Sequence, residues 1–339
     1  MIRFGIVGCG HIAKRHAKHI INHTEGELIA AFDSDEQALT LFSETFKCET
    51  SSNFSELLSS YNINCLVVCT PSGTHSTLVI SALKAGLNVL VEKPMSINYE
   101  DAVNMVKLSQ ESKGDLYVVK QNRFNPPVVA LKKLMDEGVL GKLYQVNVTC
   151  FWNRNERYYN SSNWKGTKAL DGGILYNQFS HFIDVLFHLC GGIKEAKGYL
   201  SNVKHQSTIE FEDSGAFIFQ MNNGAIGSMQ VSTCAYEKNH EGSITLLAEN
   251  GIVKVGGKYL NTVDYSSLKE RSLDHLPKSA PANDYGFYQG TMSNHDQVID
   301  NVIQAIYGNE PIMTSAIEGM EVVKMIDQLY SNSEWISSK

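Results

Sequence analysis

Short, uninterrupted apolar runs recur through the first third of the chain, at Phe4–Val7, Leu28–Phe32, Cys65–Cys69, Val89–Val91 and Leu116–Val119. Between them lie segments with helical spacing at Asp35–Lys47, Phe54–Tyr61, Thr77–Ala85 and Tyr99–Glu111, the second capped by Ser52-Asn53 and the third closed by Gly86. Continuous rather than alternating strands, separated by helices, predict a parallel sheet covered on both faces. A helix over Pro127–Glu137, closed by Gly138, leads to a change of pattern. From about Leu143 the apolar positions alternate with period two, over Tyr144–Thr149, Ala216–Phe219, Ser228–Val231, Ser243–Leu246 and Ile252–Val255. Asn222-Asn223-Gly224 and Glu249-Asn250-Gly251 join consecutive runs as hairpins. Three further helices are expected, at Ile174–Leu189, Asp296–Tyr307 and Ala316–Tyr330. No repeat or low-complexity linker divides the halves, and Pro126-Pro127 is the only stiff punctuation near their boundary.

The first strand breaks into Gly8-Cys9-Gly10-His11-Ile12-Ala13. Gly8 permits a turn that a side chain would obstruct, Gly10 lets the backbone approach a pyrophosphate, and Ala13 lets the helix lie close to the strand. The first amides of that helix, at His11 and Ile12, then face phosphate. An isolated G-x-G-x-x-A motif says little, but here a strand precedes it, a helix follows it, and an acid, Asp33, closes the next strand. A carboxylate there accepts hydrogen bonds from both ribose hydroxyls and repels a 2′-phosphate, and Ser34-Asp35 offers no arginine to welcome one. NAD is therefore expected rather than NADP. The fold class that follows is an α/β Rossmann domain plus an α+β C-terminal domain with an open, mostly antiparallel sheet. Residues 1–123 would bind dinucleotide and 124–339 would bind substrate and support oligomerisation, with the last helices free to pack back on the first domain.

Length supports two domains, since 339 residues exceed one ordinary domain. A hydrophobic fraction of 43% fills sizeable cores, and a net charge of -7 argues against nucleic acid or an anionic membrane as partner. Any anionic ligand must be held by local basic groups. No apolar run is long enough to span a membrane, and the N-terminus enters a strand at once rather than a signal peptide, so a cytoplasmic location is expected. Seven cysteines, several within apolar strands, read as reduced buried thiols. Cys65 and Cys69 have no completing Cys/His set, so no metal is expected.

Strand ends in such a sheet converge on the ligand crevice. Glu92-Lys93-Pro94 is one such end, and a lysine there can stabilise alkoxide character as hydride leaves a carbon. It could equally cap the strand and point to water. The Lys93-Pro94 bond is compatible with a cis form. A second candidate is the segment Asp171-Gly172-Gly173 to Asp184, read as a helix that sets Asn177 and His181 four apart on one face. His181 can take a hydroxyl proton, and Asn177 can orient the hydroxyl. A histidine in so apolar a helix is also an ordinary core residue, and Asp184 is as readily its structural partner.

Gly8-x-Gly10-x-x-Ala13, Thr70-Pro71 with His75, Glu92-Lys93-Pro94 and the glycine-rich segment ending in His181 together resemble the Gfo/Idh/MocA oxidoreductase family. The resemblance implies Lys93 as the catalytic lysine and His181 as the base. It further implies a cofactor site drawn from Gly8, Gly10, His11, Ile12, Asp33, Thr70, Pro71, His75, Glu92, Lys93, Pro94 and Gln121. Many members carry aspartate where this chain has Asn177, which counts against an inositol dehydrogenase. Lys120-Gln121-Asn122-Arg123, Arg157-Tyr158-Tyr159, Trp164-Lys165-Gly166-Thr167 and Asn177-Gln178 resemble a narrower branch, the bacterial UDP-N-acetyl-2-amino-2-deoxyglucuronate 3-dehydrogenases of the WlbA/WbpB type. That resemblance implies NAD-dependent oxidation of a sugar C3 hydroxyl, upstream of a PLP-dependent aminotransferase in lipopolysaccharide or other surface-polysaccharide biosynthesis. It implies a homotetramer joined sheet to sheet, and substrate contacts from Lys120, Asn122, Arg123, Arg157, Tyr158, Tyr159, Trp164, Thr167, Asn177 and Gln178. Arg154, Lys165 and Lys168 add basic groups to the same segments, fitting an anionic sugar nucleotide. The competing readings are a dehydrogenase of a neutral sugar or inositol, and a non-catalytic NAD-binding regulator of the same fold.

Overall fold

Six parallel strands form the sheet that the uninterrupted apolar runs predict. In chain order the elements are β1 (Ile2–Val7), α1 (His11–Asn22), β2 (Gly26–Phe32), α2 (Glu36–Phe46), β3 (Glu49–Thr50), α3 (Phe54–Ser59), β4 (Cys65–Val68), α4 (His75–Lys84), β5 (Asn88–Val91), α5 (Tyr99–Glu111) and β6 (Leu116–Val118). The strand order is β3-β2-β1-β4-β5-β6, so the chain reverses direction across the sheet between β1 and β4. The exits of both strands flank that switch point, where ligands of doubly wound sheets bind. β4 and β5 are buried along their whole length apart from the half-buried first residue of β5. α2 is capped by Asp35, whose carboxylate accepts from the amides of Gln37 and Ala38 at 2.9 and 3.1 Å. α1 has Gly10 at its N-cap, without any side-chain cap or acidic residue in its first turn.

The computed structural model describes residues 1–269, 271–286 and 288–336. They fall into two units: Met1–Lys120 with His295–Val323, and Gln121–Asn294 with the chain from Lys324 onward. The remaining elements are α6 (Pro126–Asp136), β7 (Leu143–Phe151), α7 (Glu156–Tyr159), α8 (Ser180–Cys190), β8 (Ile193–Ser201), β9 (Ser214–Met221), β10 (Ile226–Ser232), β11 (Glu241–Ala248), β12 (Gly251–Gly256), β13 (Thr262–Leu268), β14 (Ala282–Asp284), β15 (Gln289–Met292), α9 (His295–Tyr307), α10 (Ala316–Ser331) and β16 (Ser333–Trp335). Within the first unit, α9 packs against α1, and Gly319 of α10 lies against Val118 and Met95.

The second unit is built on an eight-stranded sheet in the order β13-β12-β11-β7-β10-β9-β8-β16. β10 pairs with β7, and β16 with β8, in parallel; the other pairs are antiparallel, and the two asparagine-glycine turns close the β9–β10 and β11–β12 hairpins. One face carries Met229, Phe217, Val148 and Ile244, all buried, and Phe182 of α8 lies against Gly242 on that side. The expected helix over Ile174–Leu189 forms only in its later part: helix begins at Ser180, and residues 174–178 run as turns. The reason is local: Gly172 and Gly173 sit at φ +85° and +131°, outside the right-handed helical range, and side chains rather than carbonyls take the amides of Ile174 and Leu175.

Candidate active site

The glycine loop of the first unit is braced by the acid that follows β2. Asp33 accepts the Cys9 amide at 2.6 Å through one carboxylate oxygen and the Asp35 amide at 2.9 Å through the other. Gly8 has φ +87°, and a Cβ there would stand 2.8 Å from the Cys69 carbonyl carbon, so only glycine fits. A Cβ on Gly10 would meet nothing within 4 Å, which leaves the backbone open to a close-lying ligand. With the uncapped N-terminus of α1, this is a cradle of the kind a pyrophosphate fits, beside a carboxylate placed for ribose hydroxyls. Burial first, and then the Asp33 charge, push the Cys9 thiol up to about 12, so this cysteine stays protonated inside the loop.

Two more strand ends border the switch point. His75 is 1% exposed, with Nδ1 2.8 Å from the Pro94 carbonyl and Nε2 2.9 Å from that of Thr70. It ties the segment after β4 to the segment after β5. Burial lowers its pKa, against the pull of those two carbonyls. Thr70 and Thr74 share a hydroxyl contact at 2.7 Å, and Pro71 accepts from Thr74. The Lys93–Pro94 peptide is cis. Glu92 is buried; its Oε2 accepts the Lys93 amide at 3.1 Å and its Oε1 lies 2.7 Å from His16 Nε2. His295 Nε2 lies 3.9 Å from the same oxygen. Burial alone would raise the Glu92 carboxyl, but the His16 hydrogen bond, with His295 and Lys93 nearby, outweighs it and holds it at about 2. Burial pushes His295 down to about 3. The donor atoms of His16, Glu92 and His295 lie within 4.8 Å of one another, a grouping the sequence reading missed because the residues come from three distant segments. Lys93 itself is half-buried, and Lys120 is buried.

In the second unit the expected contact residues divide into those fixed by the protein and those with polar atoms to spare. Arg123 departs from expectation: it is 1% exposed, and its Nε and Nη2 donate to the two carboxylate oxygens of Asp184 at 3.0 and 2.7 Å. The fork that would suit a substrate carboxylate grips α8 instead, one turn beyond His181. Asn122 is buried with neither amide oxygen nor nitrogen hydrogen-bonded by protein, and Gln178 and Gln121 each keep an unpartnered Oε1. Their nitrogens are engaged, Gln178 with the Tyr158 hydroxyl at 3.1 Å and Gln121 with Thr291 at 2.8 Å. Asn177 is not on the helix; its side-chain nitrogen donates to Asp171, which also accepts the Gly166 amide at 2.8 Å. His181 is buried in the first turn of α8. Tyr159 is buried against Thr233 and His205, Thr167 donates to the Trp164 carbonyl, and Arg157 is exposed.

Arg154 gives the unit its distinctive electrostatics. It is 3% exposed, and its guanidinium is held by carbonyls of Asn153 and Gln289 and by Asn239. It also lies about 5 Å from the rings of Trp152, Tyr158 and Tyr288. Among the described residues no carboxylate lies in ion-pair range of it, and its Nε is unpartnered. The Lys165 ammonium lies 4.5 Å from the Tyr158 ring and 5.7 Å from Tyr288. Burial pushes Lys165 down to about 8, and the Arg154 charge adds to this while Asp171 opposes it. Two cations therefore share one aromatic wall, and sequence spacing did not single out Tyr288 or the seclusion of Arg154.

A family model described as the oxidoreductase family, NAD-binding Rossmann fold, matches residues 2–120, and the GFO/IDH/MocA C-terminal domain matches residues 128–254. Among solved structures, the WlbA dehydrogenase of Bordetella pertussis, in complex with NADH and UDP-GlcNAcA, is 34% identical with a TM-score of 0.88, covering 98% of this chain and 96% of that one. The WlbA dehydrogenase of Chromobacterium violaceum, in complex with the same two ligands, is also 34% identical, with a TM-score of 0.89, covering 98% of this chain and 93% of that one. Among curated proteins, the inositol 2-dehydrogenase of Rhizobium meliloti is 30% identical over 148 residues, which is 44% of each chain. The chain spans about half the length of the first curated relatives it matches.

Proposed function

Because the chain belongs to the Gfo/Idh/MocA family of NAD-binding oxidoreductases, we propose that it oxidises the C3 hydroxyl of a UDP-N-acetylated glucosaminuronic acid to a 3-keto sugar. The observation that carries this reading is Arg154, a buried cation without a carboxylate partner among the described residues, beside Lys165 on the same aromatic wall. A buried charge is costly unless paired, and an anionic ligand would pair it. Asn122, Gln121 and Gln178 add unpartnered polar atoms that suit a hydroxyl-rich sugar. Both WlbA dehydrogenases bind a ligand of this charge and chemistry.

The glycine cradle, the α1 N-terminus and Asp33 would hold NAD, with His75 and Glu92 as positioning residues behind Thr70 and Lys93. When bound, the nicotinamide supplies the hydride acceptor. Lys93 donates a hydrogen bond to the C3 hydroxyl and stabilises the alkoxide character that grows as the C–H bond breaks. His181 accepts the hydroxyl proton, and Asn177, steadied by Asp171, orients the same oxygen. The product ketone is the substrate class of a PLP-dependent aminotransferase. Seven free cysteines and an NAD-dependent reaction fit the cytoplasm, and no helix of the described residues is long and apolar enough to cross a membrane.

Purified protein mixed at near-stoichiometric concentration with NAD and the UDP-sugar acid should give a burst of nicotinamide reduction, which neutral sugars and inositols should not. A burst with the neutral panel alone would overturn the anionic reading, and NAD binding without any burst would favour a regulator.

We further propose self-association through the outer face of the eight-stranded sheet. Ile218, Ile226 and Tyr199 are 65%, 59% and 53% exposed there; Ile218 pairs with Ser228 and Lys197, Ile226 with Gln145 and Gln220, and Tyr199 with Ala216. Three large apolar side chains exposed on one sheet face, with Lys197 and Glu195 beside them, mark an interaction surface. Ile218→Asp should convert the oligomer to a smaller species by light scattering while leaving the melting temperature nearly unchanged; an unaltered mass for this variant would rule that face out.

A further inference from the structure

The turn segment that replaces the expected start of α8 is held by two side chains from elements far away in the chain. The Ile174 amide donates to Glu212 Oε1 at 2.9 Å, and the Leu175 amide donates to the Tyr330 hydroxyl at 3.2 Å. That hydroxyl in turn donates to Glu212 Oε1 at 2.5 Å. Tyr330 comes from the last turn of α10, and Glu212, 2% exposed, from the segment before β9. Gly173 completes the fit, because a Cβ there would fall on the Tyr330 hydroxyl. Tyr176 stacks on the Tyr330 ring at 5.6 Å. Beyond these amides, the backbone runs through Asn177, whose N–H returns to the Gly173 carbonyl at 3.0 Å, into His181.

We propose that Glu212 and Tyr330 are a positioning pair, which sets the Asp171–Gln178 segment and through it Asn177 and His181. The proposal rests on the reading of Asn177 and His181 as substrate-side groups. Two successive amides with no carbonyl partner would otherwise be free to rotate, and glycines at 172 and 173 resist no such motion. The pair is also sensitive to protonation. Burial pushes the Glu212 carboxyl up to about 7, against the Tyr330 hydrogen bond and the backbone amides. The titratable groups facing it are Tyr330 and, behind that ring, Tyr176 and Asp327. A folded-state value raised above the unfolded one means that stability is greatest below the unfolded value and is lost as pH rises through about 7.

The test uses full-length Tyr330→Phe and Glu212→Gln in single-turnover oxidation of the UDP-sugar acid, with hydrogen exchange of residues 171–180 measured alongside. Tyr330→Phe should slow the hydride step roughly tenfold, leave NAD affinity unchanged, and speed exchange at Ile174 and Leu175. Glu212→Gln keeps the acceptor oxygen and cannot ionise, so it should match the wild-type rate while the wild-type acid is protonated, and surpass it in exchange protection as pH rises from the ordinary carboxylate value of 4.5 through about 7. Wild-type rates and wild-type protection in both variants would overturn the proposal, as would losses that merely follow a fallen melting temperature. If the wild-type protein fails to turn over the sugar, the substrate reading falls, and the exchange measurement alone still decides the pair.

Discussion

Lys93→Met is expected to abolish sugar oxidation while the protein still folds and still binds NAD. Methionine keeps the unbranched length of lysine and removes only the ammonium, so the half-buried stem retains its packing. The backbone on both sides of it is held by groups other than its ammonium. The Lys93 amide is held by Glu92 Oε2, the Glu92 amide by the Val68 carbonyl at 3.0 Å, and the following carbonyl by His75. The variant therefore tests the charge rather than the architecture. Losing one preorganised group that stabilises a developing oxyanion costs on the order of a hundred- to a thousandfold in rate. Stopped-flow reduction of NAD measures the rate, and protein fluorescence quenching measures NAD affinity. A wild-type burst from Lys93→Met would remove this lysine from the chemistry and leave it as a strand-end residue.

The first unit was legible in the sequence because its signals are local. Gly8, Gly10, Ala13 and Asp33 belong to one strand-turn-helix-strand unit, and the backbone needs no distant partner to show why glycine is required at Gly8. The region before α8 was misread for an equally physical reason. The apolar spacing of Ile174, Leu175 and Phe179 continues the helical period without a break, but φ at Gly172 and Gly173 and the competing acceptors Glu212 and Tyr330 decide the backbone. β13 escaped notice because it carries largely exposed polar side chains, and a sheet-edge strand of that kind has no buried face to impose alternation. Arg123 was assigned to the substrate through the resemblance of Lys120-Gln121-Asn122-Arg123, a motif in which its partner Asp184, 61 residues on, is invisible. The same holds for Arg154, whose aromatic enclosure is assembled from Trp152, Tyr158 and Tyr288.

Asp184→Ala is expected to be the most destabilising single change in the second unit. Arg123 and Asp184 are each 1% exposed and meet through two hydrogen bonds, so truncating the acid leaves a guanidinium buried without its carboxylate. Breaking such a pair from one side costs roughly 3–5 kcal/mol, most of it the penalty for the stranded charge. Replacing both partners, as Arg123→Met with Asp184→Leu, removes the charge together with its counter-charge and should recover most of that loss. Activity should not recover with it. Asp184 stands on the same helical face as His181, three residues on, and the bidentate fork fixes the rotation of α8 in a way that two apolar side chains cannot. The double variant should thus melt near the wild-type temperature but oxidise the sugar more slowly, with NAD affinity unchanged. Denaturant titration and single-turnover rates on the three proteins separate the two effects. An Asp184→Ala variant as stable as wild type would show that the pair does not hold α8, and a fully active double variant would show that its orientation is set elsewhere.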